Sequence, residues 1–177
     1  MILLSVRRLI ANTAVGLLPP SRCFLLKRLL WRFGGVNVGK SVRFVSSAKI
    51  WTSGRVVIGE GTFIGHQVLL VGGPADIEIG SFCDLGPRVT LATGTHKEDS
   101  NLKAAGTGVS HPIRIGDGVW LGAASTILNG VTIGHLSIVG AGSLVNKDIP
   151  DNVVAVGVPC LVKRKRKAAE GDFKLDA

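Results

Sequence analysis

The 177-residue chain contains no tyrosine, and aromatic residues make up only 5% of it. That scarcity suits a narrow interior with room for branched aliphatics and little for rings. Cysteine is scarce too. Cys23, Cys83 and Cys160 are odd in number and widely spaced, which argues against a disulfide framework or a zinc knuckle and predicts a reduced, intracellular setting with all three as packing residues. No apolar run reaches the ~18–20 residues of a spanning helix, and Arg7-Arg8 interrupts the first one where a secretory signal needs an unbroken core. A cytoplasmic location is therefore expected. Acidic residues are missing from the whole N-terminal third: none precedes Glu60, while ten basic residues do, among them Arg7, Arg8, Arg22, Lys27, Arg28 and Arg32. The net charge is +9, yet no nucleic-acid-binding module accompanies it, so nucleic acid is not an expected partner.

What the chain does have is a beat of six. From Ile58 almost to Pro159 an aliphatic residue, often followed by glycine, returns at every sixth position, most clearly at Ile115, Leu121, Ile127, Ile133, Val139 and Val145. A helix would bring aliphatics back every three to four residues and a single strand every two. Six fits three short strands joined by tight corners, each pointing one branched side chain into a common axis: an all-β triangular prism of eighteen residues per coil. Its coils would stack at roughly 4.8 Å.

Two stretches leave the beat. Residues 2–17 and 21–33 read as helices, the second with Ser21 as N-cap and Gly34-Gly35 as stop. Leu25, Leu26, Leu29, Leu30 and Phe33 form an apolar stripe on it. Two readings stand: the helices cap the open end of the prism, or they present a basic amphipathic face to an anionic membrane. Between Leu91 and Ile115 the inward slots hold Lys97, Lys103 and Val109. Lysines cannot point unpaired into an apolar axis, so about residues 94–112 should project as an extended loop. The resulting organisation is a helical segment at 1–35, a β-helix at 36–162 carrying that loop, and a basic tail at 163–177.

The segments Ile-Gly-Asp-Gly-Val-Trp-Leu-Gly (115–122), Ile-Leu-Asn-Gly-Val-Thr-Ile-Gly (127–134), Gly-Ala-Gly-Ser-Leu-Val-Asn-Lys-Asp-Ile-Pro (140–150) and Gly-Val-Pro (157–159) resemble the hexapeptide-repeat acyltransferases. Within that family they are most similar to sugar O-acetyltransferases of the maltose/galactoside type and the colanic-acid group of exopolysaccharide synthesis. The resemblance implies a left-handed parallel β-helix, a homotrimer, acetyl-CoA as donor, a sugar hydroxyl as acceptor and no metal.

The loop begins Ala-Thr-Gly-Thr-His (92–96), similar to the segment that carries the family's catalytic histidine. His96 is therefore the candidate general base, an imidazole able to take the proton of a hydroxyl as it attacks a thioester. Asp84, on the neighbouring side of the same coil, is grouped with the acceptor-side residues as a candidate to orient that ring. His111-Pro112 stands at the return of the loop and resembles an acceptor contact of serine acetyltransferases. His66 and Gln67 lie where the family places acceptor-binding residues, although Ile-Gly-His-Gln (64–67) departs from the maltose-enzyme pattern. Positions eighteen apart stack, so Gly122, Ala123 and Ala124 align with Gly140, Ala141 and Gly142 in a column of small residues. In the family such a groove holds coenzyme A. Asn146, Lys147 and Arg164 match its polar and basic residues near the phosphates. Serine or amino-sugar N-acetyl transfer, a non-catalytic scaffold and a zinc-dependent β-helix enzyme are the alternatives; His66, His96 and His111 lack the spacing of a three-histidine zinc site.

Overall fold

The structure, a computed structural model, describes residues 2–99 and 103–167. Three parallel sheets form the walls of a prism. The first contains β1 (Val36–Val38), β4 (Val56–Ile58), β7 (Ile77–Ile79), β12 (Ile113–Ile115) and β15 (Thr132–Ile133). The second contains β2 (Arg43–Phe44), β5 (Phe63–Ile64), β8 (Asp84–Leu85), β13 (Trp120–Leu121), β16 (Ile138–Val139) and β18 (Val153–Val156), closed by an antiparallel β19 (Leu161–Lys165). The third contains β3 (Lys49–Thr52), β6 (Leu69–Gly72), β9 (Thr90–Ala92), β14 (Thr126–Leu128) and β17 (Leu144–Val145). The chain visits the three in turn, and each short strand turns a buried side chain to the shared axis.

That axis is aliphatic. Ile58, Ile64, Leu70, Ile79, Leu85, Leu91, Leu121, Ile127, Ile133, Val139 and Val145 are all buried. Burial of each such side chain is worth roughly 1.5–3 kcal/mol against leaving it in water. Corner glycines follow from close stacking: a Cβ on Gly122 would lie 2.5 Å from the amide nitrogen of Ala141 in the next coil. The eighteen-residue coil holds from β12 to β17, where Ile115 pairs with Ile133 and Leu121 with Val139, and the last coil is shorter, Val139 pairing with Ala155. Earlier coils are longer. Val38 pairs with Ile58 and Ile58 with Ile79, advances of 20 and 21 residues, because the corner after the third sheet is expanded at Ser53–Arg55 and Gly73–Asp76.

Helices α1 (Ile2–Gly16) and α2 (Phe24–Phe33) lie over the first coil. The second starts later than the sequence predicts. Ser21 is not its N-cap; Cys23 holds that position with a left-handed φ of 55° and no side-chain capping bond, and it is exposed rather than a packing residue. Gly35, at φ 79°, follows the helix end as expected. Both helices turn polar side chains toward the prism. A first coil has no earlier neighbour to use its outward carbonyls, and basic groups take them. Arg8 donates to the carbonyls of Thr52 and Gly54, Lys27 to Phe44, Arg28 to Val42, and Arg32 to Val38. Asn12 pairs with both polar backbone groups of Ile50, like one rung of a sheet. Trp31 is fully buried beneath α2, its ring 5.9 Å from Phe44. No helix among the described residues is long and apolar enough to cross a membrane.

At the other end, the basic segment expected as a tail from 163 folds back first: Val154 pairs with Arg164, and Arg166 bonds to Asn152. Residues 168–177 of that expected tail lie outside the described residues.

Candidate active site

The predicted extended loop is a β-hairpin. Strands β10 (Gly94–Glu98) and β11 (Ala105–Ser110) pair antiparallel, His96 facing Gly108. The hairpin leaves the corner between the third and first sheets and returns to it, so Leu91 pairs with Ile127, and Ile79 with Ile115, across its base. Lys97 and Lys103 are exposed, as their charge requires.

A cleft of about 800 Å³ opens where the hairpin root meets the expanded corner of the coil above, a size in the usual range for small-molecule sites. His96 and His111 both line it, with Gly72, Gly73, Pro74 and Ser110. Gly72 makes the wall feasible. Its φ is 141°, and a Cβ there would collide with the Thr93 hydroxyl. Buried Thr93 accepts the His111 amide at its carbonyl, which anchors the returning strand. His96 itself is exposed to solvent.

The other candidates fall elsewhere. Asp84 projects from the second sheet, between Phe63 and Trp120, and does not line this cleft. His66 and Gln67 turn the corner between the second and third sheets. There the Ser47 hydroxyl lies 2.7 Å from His66 Nδ1 and accepts the Gln67 amide at 3.0 Å. Gln67 adopts a left-handed φ of 55°. A smaller hollow beside them is lined by Gly16, Leu18, Pro20, Ser46 and Lys49.

The column of small residues runs along that second corner. The Gly142 amide donates to the Ala123 carbonyl, the Ala124 amide to Pro87, and the Arg88 amide to His66. His66 and Gln67 thus sit at the upper end of the column that includes Gly122, Ala123, Ala124, Gly140 and Ala141. Those coil-to-coil bonds occupy the Ala124 and Gly142 amides, leaving the exposed Ala141 flank as the open side. Asn146 and Lys147 are exposed on the hairpin's corner, whereas Arg164 lies on the second sheet. Within one chain, therefore, the histidine cleft and the small-residue column occupy different edges of the prism.

The sequence reading missed the Gly72–Pro74 wall and Ser110. A signal existed for the wall: Leu70 to Ile79 is nine residues where the beat expects six. The Ser47–His66 contact carried none. Burial pushes the thiols of Cys83 and Cys160 above their usual range, and neither lines the cleft. Among the described residues no group of three His, Cys, Asp or Glu side chains is placed to hold a metal ion.

Residues 112–147 match the model of the bacterial transferase hexapeptide (six repeats) family. A galactoside O-acetyltransferase of Lactococcus lactis is 40% identical over 152 residues, 86% of this chain and 63% of that protein. The putative colanic acid biosynthesis acetyltransferase WcaF of Escherichia coli is 32% identical over 151 residues, 85% of this chain and 81% of that protein. Against several other curated relatives the chain spans about half of their length. Among solved structures, the hexapeptide-repeat acetyltransferase VCA0836 of Vibrio cholerae, complexed with acetyl-coenzyme A, superposes with a TM-score of 0.74. It is 27% identical, with 93% of this chain and 88% of that chain covered.

Proposed function

The chain belongs to the hexapeptide-repeat acetyltransferases, and from that membership we propose that it transfers an acetyl group from acetyl-CoA to a sugar hydroxyl in the synthesis of a cell-surface polysaccharide. The observation that carries the reading is His96, held on a projecting hairpin at the rim of an 800 Å³ cleft beside His111. A regular coil would have sufficed for a scaffold. The relatives named for galactoside acetylation and colanic acid biosynthesis support a glycan acceptor, and the acetyl-coenzyme A complex of the Vibrio protein supports the donor.

In this reading an imidazole nitrogen of His96 accepts the proton of the attacking hydroxyl as its oxygen bonds to the acetyl carbon. The same proton then passes to the departing thiolate sulfur, so the base returns to its starting state. His111 contacts the acceptor. The corner column from Gly122 to Ala141 receives the pantetheine arm, with Asn146, Lys147 and Arg164 near the phosphates. Because the cleft and column occupy different edges of one prism, the working site is assigned between neighbouring subunits of a homotrimer. His96 comes from one subunit and the column, with His66 and Gln67 above it, from the next. Trp120, half exposed on the second sheet, is a candidate subunit contact. Asp84 projects from that same sheet and would reach His96 only from the neighbour.

The test is a thiol-release assay with acetyl-CoA and a panel of galactosides, glucosides, amino sugars and serine. Transfer to sugar hydroxyls is expected. Turnover with serine or an amino group alone would replace the reading with N-acetylation or serine acetylation.

A further inference from the structure

The two N-terminal helices are inside out. On α1, Arg8, Ala11, Asn12 and Val15 face the prism and are buried, and the 100° step per residue puts Ile2, Leu3, Val6 and Ile10 on the opposite side, with Leu9 at its border. Those residues are exposed, Ile2 by 82%. On α2 the buried side is Lys27 and Trp31, while Leu25, 62% exposed, and Leu29 point away. Leu17, in the connection, is 83% exposed. A helix on a water-facing surface carries the reverse pattern. Both helices rest on the same first coil through sides that mix Ala11, Val15 and Trp31 with the bonded Arg8, Asn12 and Lys27, so the exposed apolar sides face away from the prism. Contiguous apolar surface of this kind marks an interaction site.

We propose that this face docks on an anionic lipid bilayer, lying in its interface without crossing it. Charge selects the occupant. No carboxylate occurs before Glu60, so two copies meeting cap to cap would set cations against cations with nothing to pair them. Anionic headgroups supply the missing sign. Cations accompany the apolar face: the Arg7 guanidinium lies 5.3 Å from the centre of the half-exposed Phe33 ring, and Arg22 is exposed in the connection between the helices. An apolar face bordered by basic groups is the pattern of interfacial helices, and each basic residue near such a surface adds attraction that salt screens. Neither helix is long or apolar enough to span. Bonding Arg8, Asn12 and Lys27 to first-coil carbonyls leaves the outer sides free for acyl chains.

The test uses the full chain and co-sedimentation with vesicles of phosphatidylcholine, with or without phosphatidylglycerol. A double variant, Leu9→Asp with Leu29→Asp, alters only exposed positions. The parent is expected to bind the phosphatidylglycerol vesicles at low salt, to release progressively as salt rises, and to bind phosphatidylcholine alone more weakly. Each substitution should weaken partitioning by roughly tenfold or more from lost apolar burial, with unchanged circular dichroism and unchanged acetyl transfer to a soluble acceptor. No sedimentation at low salt would overturn the proposal, as would a double variant that binds like the parent. A variant that changes the oligomeric mass while neither protein binds vesicles would also overturn it and make the face a subunit contact.

Discussion

Replacing Lys27 by methionine tests how the first coil is closed. The lysine ammonium is buried and donates to the carbonyls of Pro19 at 2.9 Å, Pro20 at 2.7 Å and Phe44 at 3.1 Å. Methionine keeps much of the stem's volume and removes the charge with all three donors. Hydrogen bonds from a charged group are worth about 1.5–3 kcal/mol each, giving a gross loss of several kcal/mol. Two effects reduce it. Ser46 also donates to the Pro19 and Pro20 carbonyls, so Phe44 is the carbonyl most exposed to being orphaned. In addition, relieving the desolvation of a buried ammonium returns several kcal/mol. The net expectation is a destabilisation of about 2–4 kcal/mol, read from the midpoint of urea unfolding at fixed protein concentration. The pH dependence gives a second readout. Burial lowers the Lys27 pKa from its ordinary 10.5. Between that lowered value and the ordinary one the unfolded chain therefore holds more protons, and stability rises with pH across the window. That contribution should vanish in Lys27→Met. A variant as stable as the parent, with the same pH slope, would refute the idea that basic side chains close this end of the prism.

Two further outcomes follow from burial and from the corner column. With a small alkylating reagent at neutral pH, exposed Cys23 should react first, while Cys83 and Cys160 react only on unfolding, since both are buried and burial raises their thiol pKa; mass mapping of the labelled residues checks this. Ala141→Trp, at an exposed position on the proposed donor groove, should raise the KM for acetyl-CoA at least about tenfold without altering the urea midpoint, and an unchanged KM would move the donor away from that corner.

The prism was legible because one branched side chain per six residues has few geometric solutions, and Ile115 to Val145 carries the pattern without interruption. The excursion from the prism was legible from Lys97 and Lys103, whose charge cannot enter the axis, but its pairing as a hairpin was not. The inverted helices were not. The leucine stripe on α2 told that the helix has two faces but not which one meets the prism, and that choice is made by unpaired carbonyls of Val38, Phe44 and Thr52, distant in sequence. Coil length escaped notice for a related reason. Gly72, Gly73 and Pro74 extend a corner, and its one trace in the sequence is the nine-residue step from Leu70 to Ile79, which does not say where the extra residues go. The relation of His96 to the small-residue column lies outside what one chain's period encodes, because in the proposed homotrimer it would depend on how neighbouring copies meet.

The most direct test of the account compares steady-state acetyl transfer by the parent and by His96→Ala, with acetyl-CoA and a sugar acceptor near saturation. His96 is exposed on its hairpin, so the variant should fold normally. The account predicts that kcat falls by about 10²–10⁴, the loss expected when a general base is removed, while the KM for acetyl-CoA stays within a few-fold. A kcat within a few-fold of the parent would contradict it and take the catalytic role away from the hairpin.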